Sequence, residues 1–196
     1  QLKVGDPVTP RRVLRALTAN CRTPTAFRPT VAQYIYSTYC PKGGTVWDPC
    51  AGYGGRVLGA LVAGVRYVGT DVEPATIEGN RKLYLALGGD ASLTLCPAEE
   101  FDPGQVDLVF TSPPYFDREH YSGRDGQSWV RYQTLDEWVE GFLRPVVRTS
   151  HCCLPEGGHL ILNIADIKKK KTLIPLEGRT LEVAVSEGFR HVETLQ

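Results

Sequence analysis

The chain has 196 residues, enough for one domain with a sizeable core. Hydrophobic residues make up 42% and charged residues 22%, which excludes a disordered, collagenous or coiled-coil chain as the main description. Basic and acidic residues balance at 22 each, yet residues 1–40 carry net +5 and residues 41–115 net −4, a basic arm before an acidic middle.

Taken in chain order, TPRRVLRALTA at 9–19 patterns as a short helix with arginines opposite Val13, Leu14 and Leu17. RTPTAFRPT is a proline-marked loop, VAQYIYSTY a helix, and PKGG at 41–44 its stop. TVWDPC at 45–50 is a first strand that runs into the turn AGYGGR and a helix, VLGALVAG. RYVGTDVE at 66–73 is a second strand ending in acids, followed by the helix PATIEGNRKLYLALGG with glycines at its close. SLTLCPAEEF holds a third strand and VDLVFTSPPY a fourth, cut off by a double proline. Residues 116–133 are a long polar insertion. TLDEWVEGFLRPVVRTSHCC is a helix with Thr134 as N-cap and Glu137 at the capping-box position. HLILNIAD is a fifth strand, LEVAVSEG a last helix and FRHVETLQ a last strand. Strands that alternate with helices and read as continuous apolar runs make a doubly wound, Rossmann-like α/β sheet with helices on both faces. Residues 1–40 form a short helical N-terminal appendage and 41–196 the sheet domain.

No stretch approaches 18 apolar residues, so no membrane span is expected, and the first residues hold no run long enough for a signal peptide. The six cysteines form no C-x2-C pair, and His120, His151, His159 and His191 are scattered and read as structural or surface residues. No metal site is expected, and reduced thiols in a cytoplasmic setting are the default.

Three constellations carry chemistry. The first is Asp48-Pro49-Cys50-Ala51-Gly52-Tyr53-Gly54-Gly55-Arg56, a glycine turn between strand and helix that lets a ligand approach the backbone. It also fits a plain strand–helix connection. It is no phosphate loop, and a nicotinamide site would need a third glycine. Asp48 at the strand's end suits a cationic ligand. The second is Asp71, at the tip of the second strand, where a carboxylate binds ribose hydroxyls or caps the next helix. The third is Ser112-Pro113-Pro114-Tyr115, directly after the fourth strand. Its prolines remove backbone donors and stiffen the turn, which leaves carbonyls and the Ser112 hydroxyl as acceptors beside the flat face of Tyr115. That arrangement holds a planar amine.

Together these motifs resemble the S-adenosylmethionine-dependent DNA amino-methyltransferases of the adenine-N6 and cytosine-N4 type. Their Asp-Pro-x-x-Gly-x-Gly turn matches Asp48–Gly54, and their (Asp/Asn/Ser)-Pro-Pro-(Tyr/Phe) tetrad matches Ser112–Tyr115. The resemblance spans residues 24–166 and implies a Rossmann-like methyltransferase sheet over 41–196, with FRPTVAQYIY closing over the cofactor. It implies S-adenosyl-L-methionine held by Asp48, Cys50, Gly52, Gly54, Asp71 and Glu99. Asp48 would face the cofactor's amino group and Glu99 its adenine N6. Ser112, Pro113, Pro114 and Tyr115 would be catalytic, with Tyr115, Phe116 and Arg118 on the flipped base. The expected partner is nucleic acid, DNA first, with the basic arm and Lys168–Lys171 on phosphates. The same chemistry on RNA or a side-chain amide, and a silent nucleic-acid-binding module, are the alternatives. Cys152 and Cys153 lie far from any Pro-Cys nucleophile, which disfavours methylation at a ring carbon.

Overall fold

The computed structural model of the chain describes residues 26–89, 91–116, 127–169 and 172–195. The predicted helix over 9–19, Arg118 and most of the insertion lie outside the described residues. Five parallel strands form the central sheet: β1 (Thr45–Asp48), β2 (Arg66–Asp71), β3 (Ser92–Leu95), β4 (Leu108–Thr111) and β5 (His159–Leu162). Their order is β3-β2-β1-β4-β5. The chain therefore winds outward in one direction from β1 and in the other from β4. The two middle strands open a crevice at their carboxyl ends, where ligands settle in such sheets.

Alternation along each strand decides which face a side chain serves. Val46, Leu108 and Phe110 point to one face, where they pack with Ala32, Ile35 and Tyr36 of α1 (Pro29–Tyr39) and Val57 and Ala60 of α2 (Gly55–Ala63). Ile77 and Tyr84 of α3 (Pro74–Ala86) complete that layer. Trp47 and Val109 point to the other face, against Trp138, Val139, Phe142, Val146 and Val183. That layer comes from α5 (Leu135–Trp138), a π-helical turn (Val139–Leu143), α6 (Arg144–Cys153) and α7 (Leu176–Ser186). A four-residue helix, α4 (Ser128–Arg131), precedes them. The capping box is present: Thr134 Oγ1 accepts from Glu137 N at 3.1 Å, and Glu137 Oε2 accepts from Thr134 N at 3.0 Å. The single helix expected over 134–153 is thus interrupted by the π turn.

The start of α1 is pressed onto α2. A Cβ on Gly55 would fall on the Phe27 carbonyl, and one on Gly59 would collide with Ala32 and the backbone of Gln33. Two glycines four residues apart on α2 are what bring the Phe27–Arg28 segment over the end of β1. The C-terminal region departs from expectation. Among the described residues 189–195 form no strand, and a two-stranded antiparallel hairpin appears earlier, β6 (Ile167–Lys169) with β7 (Thr172–Ile174). Ile167 anchors it in the core at 2% exposure. The FRHVETLQ segment carries Arg190, His191 and Glu193, all exposed, and is held instead by Phe189, which packs edge-on against His151 with ring centroids 5.2 Å apart, and by Glu193 Oε1, which accepts from Tyr39 OH at 2.5 Å.

Candidate active site

The crevice at the carboxyl ends of β1 and β4 is a cavity of about 1210 Å³. Its wall includes Phe27 and Arg28, Cys50, Gly52 and Arg56, Asp71 and Glu73, Glu99, then Ser112, Pro114, Tyr115 and Asn163. The glycine turn, the β2 carboxylate and the tetrad are therefore parts of one site.

The turn after β1 is held from below. Cys50 N donates to Thr111 Oγ1 at 3.1 Å, and Ala51 N to the Thr70 carbonyl at 2.8 Å. Gly52 (φ +58°) and Gly54 (φ +83°) both take the left-handed conformation that favours glycine. A side chain on Gly54 would meet Asn80 Oδ1 and Leu83 Cδ2 at 2.9 Å. Gly52 N donates to Asp71 Oδ2 at 2.9 Å, and Asn80 Nδ2 donates to the Gly52 carbonyl at 2.8 Å. Gly52 lines the cavity, whereas Gly54 caps α2 behind it.

Asp71 lies at the end of β2 on the cavity wall. Its Oδ1 accepts from Glu73 N at 2.9 Å and its Oδ2 from Gly52 N. Each oxygen retains a second lone pair for a hydroxyl donor. Burial raises its pKa, and the two backbone N–H groups oppose that rise. Burial also pushes up the Cys50 thiol, with Asp48 and Asp71 adding to the shift, which disfavours its thiolate.

Asp48 does not face the cavity. It is fully buried, and its carboxylate is claimed from within. Oδ2 accepts from Arg56 Nε at 2.7 Å and Tyr67 OH at 2.5 Å. Oδ1 accepts from Arg56 Nη2 at 3.2 Å, Thr111 Oγ1 at 2.8 Å and Cys50 N at 3.3 Å. Asp48, expected at a cofactor's amino group, is thus off the cavity wall: its carboxylate fixes the turn and is engaged by the buried Arg56.

The tetrad splits. Ser112, Pro114 and Tyr115 line the cavity, while Pro113 is buried behind them. Ser112 Oγ donates to the Asn163 carbonyl at 3.2 Å and accepts from Asn163 Nδ2 at 3.0 Å, which leaves it one lone pair. Tyr115 OH donates to the same carbonyl at 3.4 Å. Phe116, expected on the substrate, is 7% exposed and packs edge-on against Trp138 with ring centroids 6.4 Å apart. Its φ of +49° turns the side chain into the core, so it supports the tetrad from beneath.

Glu99 follows β3 and lines the cavity. Its Oε1 accepts from Arg131 Nη1 at 2.9 Å and Tyr132 OH at 3.0 Å. Arg131 also binds Glu100 at 2.6 Å. Burial raises the Glu99 pKa against the pull of Tyr132 and Arg131. The carboxyl end of the insertion is tied to the cavity at this point. Sequence reasoning quoted Arg56 at the end of the glycine turn but gave it no role, and passed over Asn163 and Tyr132. An arginine in an otherwise apolar helix start, and a polar residue closing the fifth apolar strand, were the available signals.

Among the described residues no group of three or more His, Cys, Asp or Glu side chains could hold a metal ion, and no helix is long and apolar enough to cross a membrane.

This architecture is the Rossmann-like fold of the S-adenosylmethionine-dependent methyltransferases. A methyltransferase from Pyrococcus furiosus superposes with a TM-score of 0.58 at 16% identity, covering 92% of this chain and 87% of that one. A TehB-like SAM-dependent methyltransferase from Corynebacterium glutamicum gives 0.52 at 17% identity, covering 91% and 80%. In sequence, the chain is 27% identical over 142 residues to the tRNA (guanine(10)-N2)-dimethyltransferase of Methanothermobacter thermautotrophicus. The match takes in 71% of this chain but 38% of that protein's length. No protein-family profile matches the chain.

Proposed function

We propose that the chain binds S-adenosylmethionine in this cavity and methylates an exocyclic amine of a nucleic-acid base, with RNA ahead of DNA as substrate. The observation that carries the reading is the shared wall: the Ser112 acceptor and the Tyr115 ring open onto the same cavity as the Gly52–Asp71 shelf. RNA is placed first because the relative from Methanothermobacter thermautotrophicus is named for a tRNA guanine N2, itself an exocyclic amine.

Each residue has a task that its surroundings permit. Asp71, with a lone pair left on each oxygen, accepts from the ribose hydroxyls; Glu99 takes the adenine amine with the oxygen that Arg131 and Tyr132 leave open. Gly52 lets the cofactor lie close to the backbone. The lone pair of an aromatic amine is conjugated with its ring, so the nitrogen attacks poorly until its N–H bonds are held. The free lone pair of Ser112 Oγ, on the cavity wall, accepts one of them, and Tyr115 stacks on a base taken out of its helix. Bound S-adenosylmethionine supplies an activated methyl group with its own leaving group. The protein's share is position and polarity.

The test is incubation with methyl-labelled donor and either bulk tRNA or duplex DNA, followed by nucleoside analysis. Label on an exocyclic nitrogen of an RNA base is expected. Label in DNA alone would restore the DNA reading, and label on a ring carbon would end the amine assignment.

A second expectation concerns the cofactor. Asp71→Ala removes charge-assisted acceptors worth roughly 1.5–3 kcal/mol, so S-adenosylhomocysteine should bind at least about tenfold more weakly by calorimetry. The hydroxyls need the ionised carboxylate. Because burial raises the Asp71 pKa, affinity should fall on acidification, starting above the ordinary aspartate range of about 3.9. The same raised pKa means that ionised Asp71 costs the folded state stability: its favourable contribution exists at low pH and is lost as pH rises through the folded pKa.

A further inference from the structure

Resting on the proposed cofactor, we infer that Arg56 is the receptor for the carboxylate at the amino-acid end of S-adenosylmethionine, so that the cofactor meets a cation at the glycine turn and not the acid that the sequence displays there. The argument begins with the five N–H donors of a guanidinium. Nε and one N–H of Nη2 go to Asp48, at 2.7 and 3.2 Å. The second N–H of Nη2 goes to the Cys50 carbonyl. Both N–H bonds of Nη1 have no acceptor among the described residues. The side chain is 5% exposed, and the surface it retains belongs to the cavity wall.

The surroundings select a carboxylate. Asp48 orients the guanidinium side-on, which turns its remaining edge away from the buried acid. Phe27 and Phe110 flank it, with ring centroids 5.6 and 6.0 Å from Cζ, so water competes poorly for that edge. Arg56 also sits in the first turn of α2, whose amino end favours negative charge. Elsewhere the cavity wall carries Asp71, Glu73, Glu99 and Asp166, whose charges would repel a carboxylate. Arg28, at the exposed rim, is the other arginine on that wall. An ammonium group would be turned away from Arg56 for the same reason that a carboxylate is drawn to it. The resemblance assigned this turn to Asp48; the side chain that its geometry offers to a ligand is the arginine eight residues later.

The test compares three ligands on the unaltered protein by calorimetry: S-adenosylhomocysteine, its decarboxylated analogue, and 5′-methylthioadenosine, which lacks the whole amino-acid end. S-adenosylhomocysteine should bind at least tenfold more tightly than the decarboxylated analogue, and the analogue no more tightly than methylthioadenosine. Arg56→Lys keeps a cation for Asp48 but loses the free edge. It should lower S-adenosylhomocysteine affinity to the level of the analogue while leaving the affinity for the analogue unchanged. Equal binding of S-adenosylhomocysteine and its decarboxylated analogue to the wild-type protein would overturn this inference and leave the cofactor reading intact. Failure of all three to bind would overturn both. The wild-type comparison decides the matter even if the lysine variant does not fold.

Discussion

Asp48→Ala should cost the fold about 3–5 kcal/mol in urea unfolding, the range for removing one partner of a buried ion pair. Arg56 would keep its charge in a site 4% exposed, with the bidentate acceptor gone. Tyr67 OH, Thr111 Oγ1 and Cys50 N would lose the same acceptor. Those donors come from β2, β4 and the turn after β1, so one carboxylate joins three parts of the crevice floor. Asp48→Asn preserves volume and one acceptor but points an amide N–H₂ at donors, and should fall between wild type and alanine. A loss below about 1 kcal/mol for alanine would place the pair in the class of solvated surface bridges and remove the basis for a rigid floor.

Tyr115→Ala should lower kcat/KM about 5- to 150-fold, the equivalent of losing about 1–3 kcal/mol of stacking on a base. Affinity for S-adenosylhomocysteine should stay close to wild type, because the Gly52–Asp71 shelf is formed without Tyr115. Tyr115→Phe keeps the ring while giving up the 3.4 Å bond to the Asn163 carbonyl, and should act as a mild variant. A folded alanine variant that had lost most of its cofactor affinity would place the tetrad in the cofactor half of the cavity.

The sheet was legible because strands covered on both faces must be apolar throughout. Val46–Trp47 and Leu108–Val109–Phe110 feed alternate faces of it, so no polar residue fits between. The turn and the tetrad were legible for a related reason. Positive φ at Gly52 and Gly54 and a double proline at a strand end leave marks in residue type itself. Side-chain direction leaves no such mark. Phe116 follows Tyr115 in the chain, yet a backbone twist at one residue sends it into the core. Asp48 and Arg56 are eight residues apart, and their pairing exists only because α2 folds back over the end of β1. Asn163 meets Ser112 across 51 positions, a contact created by the pairing of β4 with β5. The expected final strand is absent among the described residues: the segment is held by Phe189 against the core and by Glu193 on Tyr39, and strand preference alone does not supply a ladder partner.

The π turn at Val139–Leu143 sets a phase. Regular α-helix advances about 100° per residue, so the extra residue of a π turn offsets everything before it from everything after it by roughly that angle. Phe142 reaches the cavity from within this turn, and the one proton of Tyr132 OH is shared between the Gly141 carbonyl at 2.8 Å and Glu99 Oε1 at 3.0 Å. Deleting one residue of the turn would swing Trp138 and the Tyr132 anchor around the axis relative to α6, while Pro145, which has no N–H to give, would still interrupt the regular helix there. The side chains on the cavity wall would all still be encoded, but they would no longer face one another. Spacing is thus as much a determinant of this site as composition, and the helix between 135 and 153 tolerates exchange of residues better than a change in their number.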